Sequence, residues 1–173
     1  MKTVFFLFTI LFTCLVSGQT KDNPLVILDS KSIGYMNQAE STLKNIAQSD
    51  LLIFIYKGSA EEVEQKFGSK SGVIIFATKK YILNTFYQNN IENSPLKKDI
   101  PTTDYLSKVG IIGSIAGNIN QPYDELVNYI SITPNNETAK KIASITLIKP
   151  TDAQIINPDW KFGAIEIMST IDN

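Results

Sequence analysis

The chain has 173 residues, 43% of them hydrophobic, and its 16 basic side chains nearly balance its 17 acidic ones. Every basic residue is a lysine and there is no histidine, so the sequence offers neither a basic surface nor arginine forks for nucleic acid. Without an imidazole, and with Cys14 as the single cysteine, nucleophilic catalysis by Cys-His or Ser-His-Asp groups is excluded.

The first 18 residues have the pattern of a secretory signal peptide. Lys2 precedes an apolar run from Val4 to Val16, which is shorter than the about 20 residues needed to cross a bilayer. Cleavage after Gly18 removes Cys14 and leaves a chain that can form no internal disulfide. A secreted chain without disulfides indicates a bacterial envelope, either periplasmic or associated with the outer membrane. The alternatives are a permanent membrane anchor and a lipid attached to Cys14.

The next segment predicts a strand, a helix and a second strand. The apolar run 25–28 is typical of a short buried strand, and Asn37 with Glu40 three residues later predicts the start of a helix over about 38–48. Residues 51–56 are apolar without interruption, which is typical of a central strand covered on both faces.

A capped helix and a third strand follow. Ser59 and Glu62 form a capping box, and Gly68 ends the helix that they begin. Residues 73–78 predict another central strand. The polar, Asn-rich stretch 81–108 is interpreted as a connection that begins with a helical turn.

The second half predicts the same kinds of element. We expect a strand and turn at 109–117, a helix near 123–131, a short helix from 135 to 142 and a strand at 145–148. Thr151 and Gln154 predict a capping box for a helix that ends before Pro158. The last strand, 164–170, contains Glu166, so one of its faces should meet solvent.

A repeat links the two halves. Lys57–Lys80 and Lys149–Thr170 both run through a lysine, a loop residue, a hydroxyl cap, a helix, a glycine and a strand. We therefore predict a signal peptide at 1–18, one unit at 19–80, a connecting segment at 81–108 and a divergent second unit at 109–173. The expected fold is α+β or α/β, with two strand-helix-strand units whose short helices pack on small mixed sheets. The alternative is a chance likeness, because strand, capped helix and strand is a common succession.

The first unit resembles the plug domain of TonB-dependent outer-membrane receptors, of the type found in Bacteroidetes nutrient receptors. The similarity covers residues 24–80: a PLVILD strand, a strand leading to Lys57, a short helix and the closing strand GVIIFATKK. A fainter version covers 142–149 and 163–170. The departures are Ser30 in place of glycine, a glutamate-rich helix in place of an alanine-rich one, and the absence of arginine near Lys70.

The resemblance implies the plug fold and an envelope address. It does not imply transport, because the series of alternating strands that a transmembrane barrel needs does not follow Lys80. Plug-like domains of this kind also look like interaction modules of other envelope proteins, and that use fits two plug-like units better.

Motifs that could carry chemistry have ordinary structural interpretations. Ser41-x-x-Lys44 matches a penicillin-recognising pattern without its other elements, so we interpret it as an exposed helix face. Glu61, Glu62 and Glu64 are expected to favour the positive end of a helix, with a Ca²⁺ site or an acid-base role as the alternative. We interpret the glycine-rich run Gly110–Gly117 as a strand and turn. Four aromatic residues are expected to cover edges of the core or to form a contact surface: Tyr81, Phe86, Tyr87 and Trp160. Asn136-Glu137-Thr138 is interpreted as a helix cap or as a glycosylation sequon.

We therefore expect a non-enzymatic interaction module of the cell envelope with no catalytic residue, metal or cofactor, and with a binding site that the sequence does not identify. Its expected partner is an envelope protein rather than nucleic acid, with membrane contact only at the periphery or through a lipid. The alternative is a periplasmic binder of a small ligand, such as a glycan or peptide, between the two units. A hydrolase that works without histidine is the third and least favoured class.

Overall fold

The computed structural model describes residues 23–56, 58–113, 118–119, 122–134 and 139–170. The predicted signal peptide, Cys14, Lys57 and the Asn136 sequon lie outside these residues. The strands are β1 (Leu25–Leu28), β2 (Lys31–Tyr35), β3 (Leu51–Ile55), β4 (Val73–Thr78), β5 (Gly110–Ile112), β6 (Asn118–Ile119), β7 (Ile142–Ile148) and β8 (Ala164–Ser169). The α-helices are α1 (Met36–Lys44), α2 (Ala60–Phe67), α3 (Lys79–Asn90), α4 (Thr103–Leu106), α5 (Pro122–Leu126) and α6 (Pro150–Ile156), and 3-10 turns cover Gln48–Asp50, Pro95–Lys98 and Val127–Tyr129.

The strands form two small mixed sheets with one shared topology. Their orders are β2-β1-β4-β3 and β6-β5-β8-β7. In the first sheet, β1 is antiparallel to β2 and parallel to β4, and β3 is antiparallel to β4. The second sheet repeats these three pairings with β5, β6, β7 and β8. The expected α+β class with short helices and small mixed sheets is confirmed.

Equivalent backbone details support the repeat. Gly72 and Gly163, which precede the last strand of each unit, both adopt a left-handed conformation, with φ of 88° and 86°. Their carbonyls accept equivalent hydrogen bonds, from Leu25 N at 3.0 Å and from Gly110 N at 2.9 Å. Because φ in this range favours glycine, the matching glycines have a conformational cause.

The two sheets share one hydrophobic core, and α3 lies in it. Residues of this core come from both sheets and from the segment between them, including Ile75, Phe86 and Ile165. The stretch 81–108, predicted to be a connection, is therefore part of the core. Five of its side chains are completely buried: Ile82, Phe86, Ile91, Ile100 and Leu106. Asparagines and lysines stand between these residues, so the sequence of the stretch indicates a polar connection rather than a core segment.

The two units turn opposite faces of their sheets towards the shared core. In β4, Val73, Ile75 and Ala77 enter that core, whereas Ile74 and Phe76 pack against α1. By strand register, Ile165 and Ile167 of β8 correspond to Ile74 and Phe76 of β4. Ile165 and Ile167 nevertheless enter the shared core, which Ile74 and Phe76 do not. Within the described part of the chain, the opposite face of the second sheet is covered at one end, where Ala164 packs with Ala153 and Trp160.

One strand has a different position from the one predicted. Residues 51–55 form β3, which among the described strands pairs only with β4 and so lies at the edge of its sheet rather than in a central position. Ile53 and Ile55 are 39% and 53% exposed on it. The prediction that β4 is central is confirmed, because five of its six residues are buried.

Several element boundaries also differ from the prediction. The first helix begins at Met36 after Tyr35, where the Gln38 side chain accepts a hydrogen bond from the Tyr35 amide, so Asn37 is not its cap. The last helix begins at Pro150, whose fixed φ suits the first helical position, so the predicted Thr151–Gln154 capping box does not begin it. Residues 139–141 are irregular and Ile142 begins β7, so no helix covers that part of 135–142.

Candidate functional site

A groove of about 650 Å³ opens where the first sheet, the central segment and the second unit meet. It is lined by Asp29, Ile46, Asp50, Thr78, Lys79, Lys80, Leu83, Asn84, Thr103, Asp104, Ser107 and Tyr123. These residues come from the turn after β1, the segment before β3, the junction of β4 with α3, α4 and α5. Its position corresponds to the cleft between units that the small-ligand alternative requires.

The floor of the groove is fixed by a carboxylate that joins three elements. Asp29 accepts hydrogen bonds from the Thr78 amide at 2.7 Å and from the Thr78 hydroxyl at 3.0 Å. The same Thr78 hydroxyl accepts a bond from the Tyr81 amide at 3.0 Å and so caps α3. Asp29 therefore ties the end of β1 to the end of β4 and to the start of the central helix.

The far wall of the groove carries a tyrosine in an acidic setting. Burial raises the pKa of Tyr123, and the negative charge of Asp50 raises it further. The Lys79 ammonium lies 4.9 Å from the centre of the Tyr123 ring, which is a cation–π contact between α3 and α5. On the rim, Asp104 and Lys108 form an exposed ion pair at 2.7 Å.

The groove has the chemistry of a polar binding surface rather than of a metal site. It presents carboxylates and ammonium groups together with amide and hydroxyl groups, which suits a polar or zwitterionic ligand. Over the described ranges, no group of three His, Cys, Asp or Glu side chains is arranged to hold a metal ion.

A second candidate surface is the uncovered face of the second sheet. Ser144 pairs with Met168 and Thr146 with Glu166, so these four side chains lie on one face, and all are exposed. Met168 is 56% exposed. The equivalent face of the first sheet carries Ile75 and Ala77 and is buried in the shared core. The expectation that β8 shows one face to solvent is confirmed.

One acidic side chain of α5 is buried beside the segment that follows β5. Glu125 is 5% exposed and accepts a hydrogen bond from the Tyr129 hydroxyl at 2.9 Å. Its carboxylate lies against Gly113, where an added Cβ would be 2.1 Å from an oxygen of Glu125. These contacts hold α5 against the segment after β5, so the interpretation of Glu125 is structural.

The motifs singled out in the sequence lie apart from the groove. Ser41 and Lys44 are on the exposed face of α1, where Lys44 forms an ion pair with Glu40 at 2.7 Å. The Ser59–Glu62 capping box is confirmed: the Glu62 amide donates to the Ser59 hydroxyl at 3.2 Å, and Glu62 accepts from the Ser59 amide at 2.7 Å.

The remaining residues of these motifs also have structural contacts. Glu61 accepts a hydrogen bond from Gln65 at 3.4 Å, and Glu64 pairs with Lys70 at 3.3 Å. In the glycine-rich run, residues 110–112 form β5 as predicted, whereas 114–117 lie outside the described residues. The Gly110 backbone lies under the Trp160 indole, where an added Cβ would be 2.2 Å from a ring carbon.

The aromatic residues do not form an exposed contact surface. Phe86, Tyr87 and Trp160 are buried, and the Tyr81 hydroxyl donates to the Ser131 carbonyl at 2.9 Å. The interpretation as core is therefore the correct one for these side chains. The residues that do line the groove, such as Asp29, Lys79 and Tyr123, carried no sequence signal, because only the packing of distant segments brings them together.

No helix in the described part of the chain is long and apolar enough to cross a membrane. Compared with protein-family models, with curated proteins and with solved structures, the chain matches none of them. The likeness to a receptor plug therefore stays a prediction from the residues that carry it.

Proposed function

We propose that the mature chain is a non-enzymatic interaction module of a bacterial cell envelope, periplasmic or associated with the outer membrane, with two plug-like units. The residues that carry the resemblance serve as scaffold. Asp29 binds Thr78, and Gly72 supplies the left-handed residue before β4. With these residues occupied in holding the fold together, the proposed module acts through its surfaces.

The observation that carries this proposal is the uncovered face of the second sheet. The face that the first unit buries in the core is, in the second unit, an exposed ladder of Ser144, Thr146, Glu166 and Met168. A sheet face with an exposed methionine and polar neighbours resembles the mixed surfaces at which proteins meet. We place the partner's contact there.

The experiment is affinity capture from envelope extract of the native host, combined with cell fractionation. We expect a stoichiometric envelope protein with the native sequence and at least a tenfold loss with Met168→Lys, because a buried lysine without a partner would cost more than about 1.4 kcal/mol. The matched control is Ser41→Lys on exposed α1, which adds the same charge far from this face. Recovery of the chain with the cytosol, or equal capture by both variants, contradicts the proposal.

The alternative function is binding of a small polar ligand in the groove, and the groove itself favours it. Its lining combines Asp50, Lys80 and Asn84 within one opening. A panel of glycans and short peptides should then raise the melting temperature of the native chain, because a ligand that binds only the folded state stabilises it. Lys80→Ala should remove the shift, whereas Lys44→Ala should leave it. A flat response across the panel counts against this alternative.

A further inference from the structure

Strand β3 has an outer edge that lacks the usual protection against pairing. Its sequence is LLIFI, without a charge, a proline or a bulge, and its five residues keep a regular register with β4. Beyond that ladder, the described residues show one further backbone hydrogen bond, from the Leu51 amide at the start of the strand to the Gln48 carbonyl. Natural edge strands normally carry at least one of these features, because an open edge is a template for another strand.

The second unit supplies an internal comparison, since β7 occupies the same place at the edge of its own sheet. That edge is protected. Its register is interrupted between Ile142 and Ser144, and polar residues alternate along its exposed face. If β7 paired with itself about Ile145, Lys141 of one chain would lie opposite Lys149 of the other, and like charges placed opposite each other are destabilising.

The composition of β3 is that of an interior strand. An apolar run with no alternation is typical of a strand with both faces covered, whereas β3 leaves Ile53 and Ile55 exposed on one face and, among the described strands, pairs with β4 alone. A second strand paired at this edge would bring its own side chains beside Ile53 and Ile55 and cover part of that face.

We propose that β3 pairs with β3 of a second copy of this chain, antiparallel about a two-fold axis at Ile53. All five residues can pair only if the axis passes through Ile53. The pairing joins the first sheet of one copy to the first sheet of the other, and β3 becomes an interior strand of the continuous sheet. Leu51 then lies opposite Ile55 of the other copy, and Ile53 lies opposite its own counterpart. Beyond the strand, Asp50 is opposite Tyr56, so no like charges meet. This pairing is independent of the partner contact on the second sheet.

The absence of cysteine from residues 19–173 allows a direct test. Opposed residues of an antiparallel pair have Cα atoms about 4.5–5.5 Å apart, which is within the range of a disulfide. We therefore expect the mature Ile53→Cys variant to form an intermolecular disulfide under mild oxidation. Two copies of residue 55 would be separated by about 13 Å along the strands, so the matched Ile55→Cys variant should stay uncrosslinked although its site is more exposed.

A second measurement does not depend on oxidation. Sedimentation equilibrium of the unmodified mature chain should give a dimer, and Ile53→Lys should give a monomer with unchanged circular dichroism. The control Ser41→Lys places the same charge on the exposed face of α1 and should remain dimeric. The proposal is overturned if the unmodified chain is monomeric at its highest soluble concentration, if the two cysteine variants crosslink equally, or if Ser41→Lys dissociates the dimer as fully as Ile53→Lys.

Discussion

Ser30 holds a backbone conformation that its side chain disfavours. Asp29 and Ser30 form the two-residue turn between β1 and β2, with φ of 51° and 65°, and the resembling receptor plugs have glycine at the second position. A left-handed conformation costs a residue with a Cβ about 1–2 kcal/mol. Against this, the Ser30 hydroxyl donates to the Thr133 carbonyl at 3.1 Å, a contact between the two units.

The two effects at Ser30 can be separated by a pair of substitutions. Ser30→Gly and Ser30→Ala both lose the hydrogen bond, but only glycine relieves the turn. We expect Ser30→Gly to be more stable than Ser30→Ala by about 1 kcal/mol in urea unfolding, with Ser30→Gly close to the unchanged chain. Equal stabilities for the two variants would show that the turn is not strained at this position.

Tyr123 reports the electrostatics of the groove. Its pKa is raised by burial and by Asp50, so the neutral phenol is favoured in the folded state. A group whose pKa is higher when folded contributes stability that is complete below its unfolded pKa, about 10, and that is lost as the pH rises through the folded value. The fold should therefore lose stability above about pH 10, and Tyr123→Phe should lessen this loss.

Ultraviolet titration of the phenolate absorbance measures the pKa of Tyr123 directly. The difference between the titrations of the unchanged chain and Tyr123→Phe should show one tyrosine that ionises later than an exposed one. In an Asp50→Asn background, the same difference should move to lower pH, because the negative charge that adds to the effect of burial is gone. If Asp50→Asn leaves the difference titration where it was, Asp50 does not act on Tyr123.

At the scale of elements, α2 and α6, which connect the last two strands of each unit, begin in different ways at corresponding places in the repeat. Ser59 caps α2 through its side chain, whereas α6 begins at Pro150 and Thr151 makes no capping bond. Ser59→Ala should lower the free energy of unfolding by about 1 kcal/mol. Thr151→Ala should change it by less than about 0.5 kcal/mol, because alanine is the better helix former and no cap is lost. A similar loss for both variants in urea unfolding would contradict this difference.

Sequence patterns located most elements of this fold because local chemistry determines them. The Ser59 cap and the left-handed Gly68 define both ends of α2, and the unbroken apolar run of β4 identifies a central strand. The repeated topology was also visible, since Gly72 and Gly163 have the same conformational requirement.

What the sequence did not reveal depends on contacts between distant segments. The run in β3 has an interior composition but an edge position, and nothing within the strand distinguishes the two. Helix α3 lies in the stretch interpreted as a connection, because polar residues at both of its ends and at Asn84 outweigh its few buried residues, such as Phe86. A cleft between the units was one of the alternatives, but the residues that line the groove were not predicted, because residues such as Asp29 and Tyr123 are far apart in the chain and line one opening only after packing.

At the scale of the whole molecule, the shared core predicts that the two units unfold together. Ile74 tests this, because it lies in the first unit on the face towards α1 and belongs to a cluster with no residue of the second unit. Trp160, the single tryptophan, is buried in the second unit and reports on it alone. Ile74→Ala should lower the free energy of unfolding by about 2–5 kcal/mol. If the two units unfold in one cooperative transition, the transition that Trp160 fluorescence follows should show the same loss. The fluorescence midpoint in urea should then fall together with the circular dichroism midpoint. The opposite result would be an unchanged urea midpoint for Trp160 fluorescence together with an earlier step in circular dichroism. In that case each sheet would unfold independently, and α3 would connect two domains rather than form part of one.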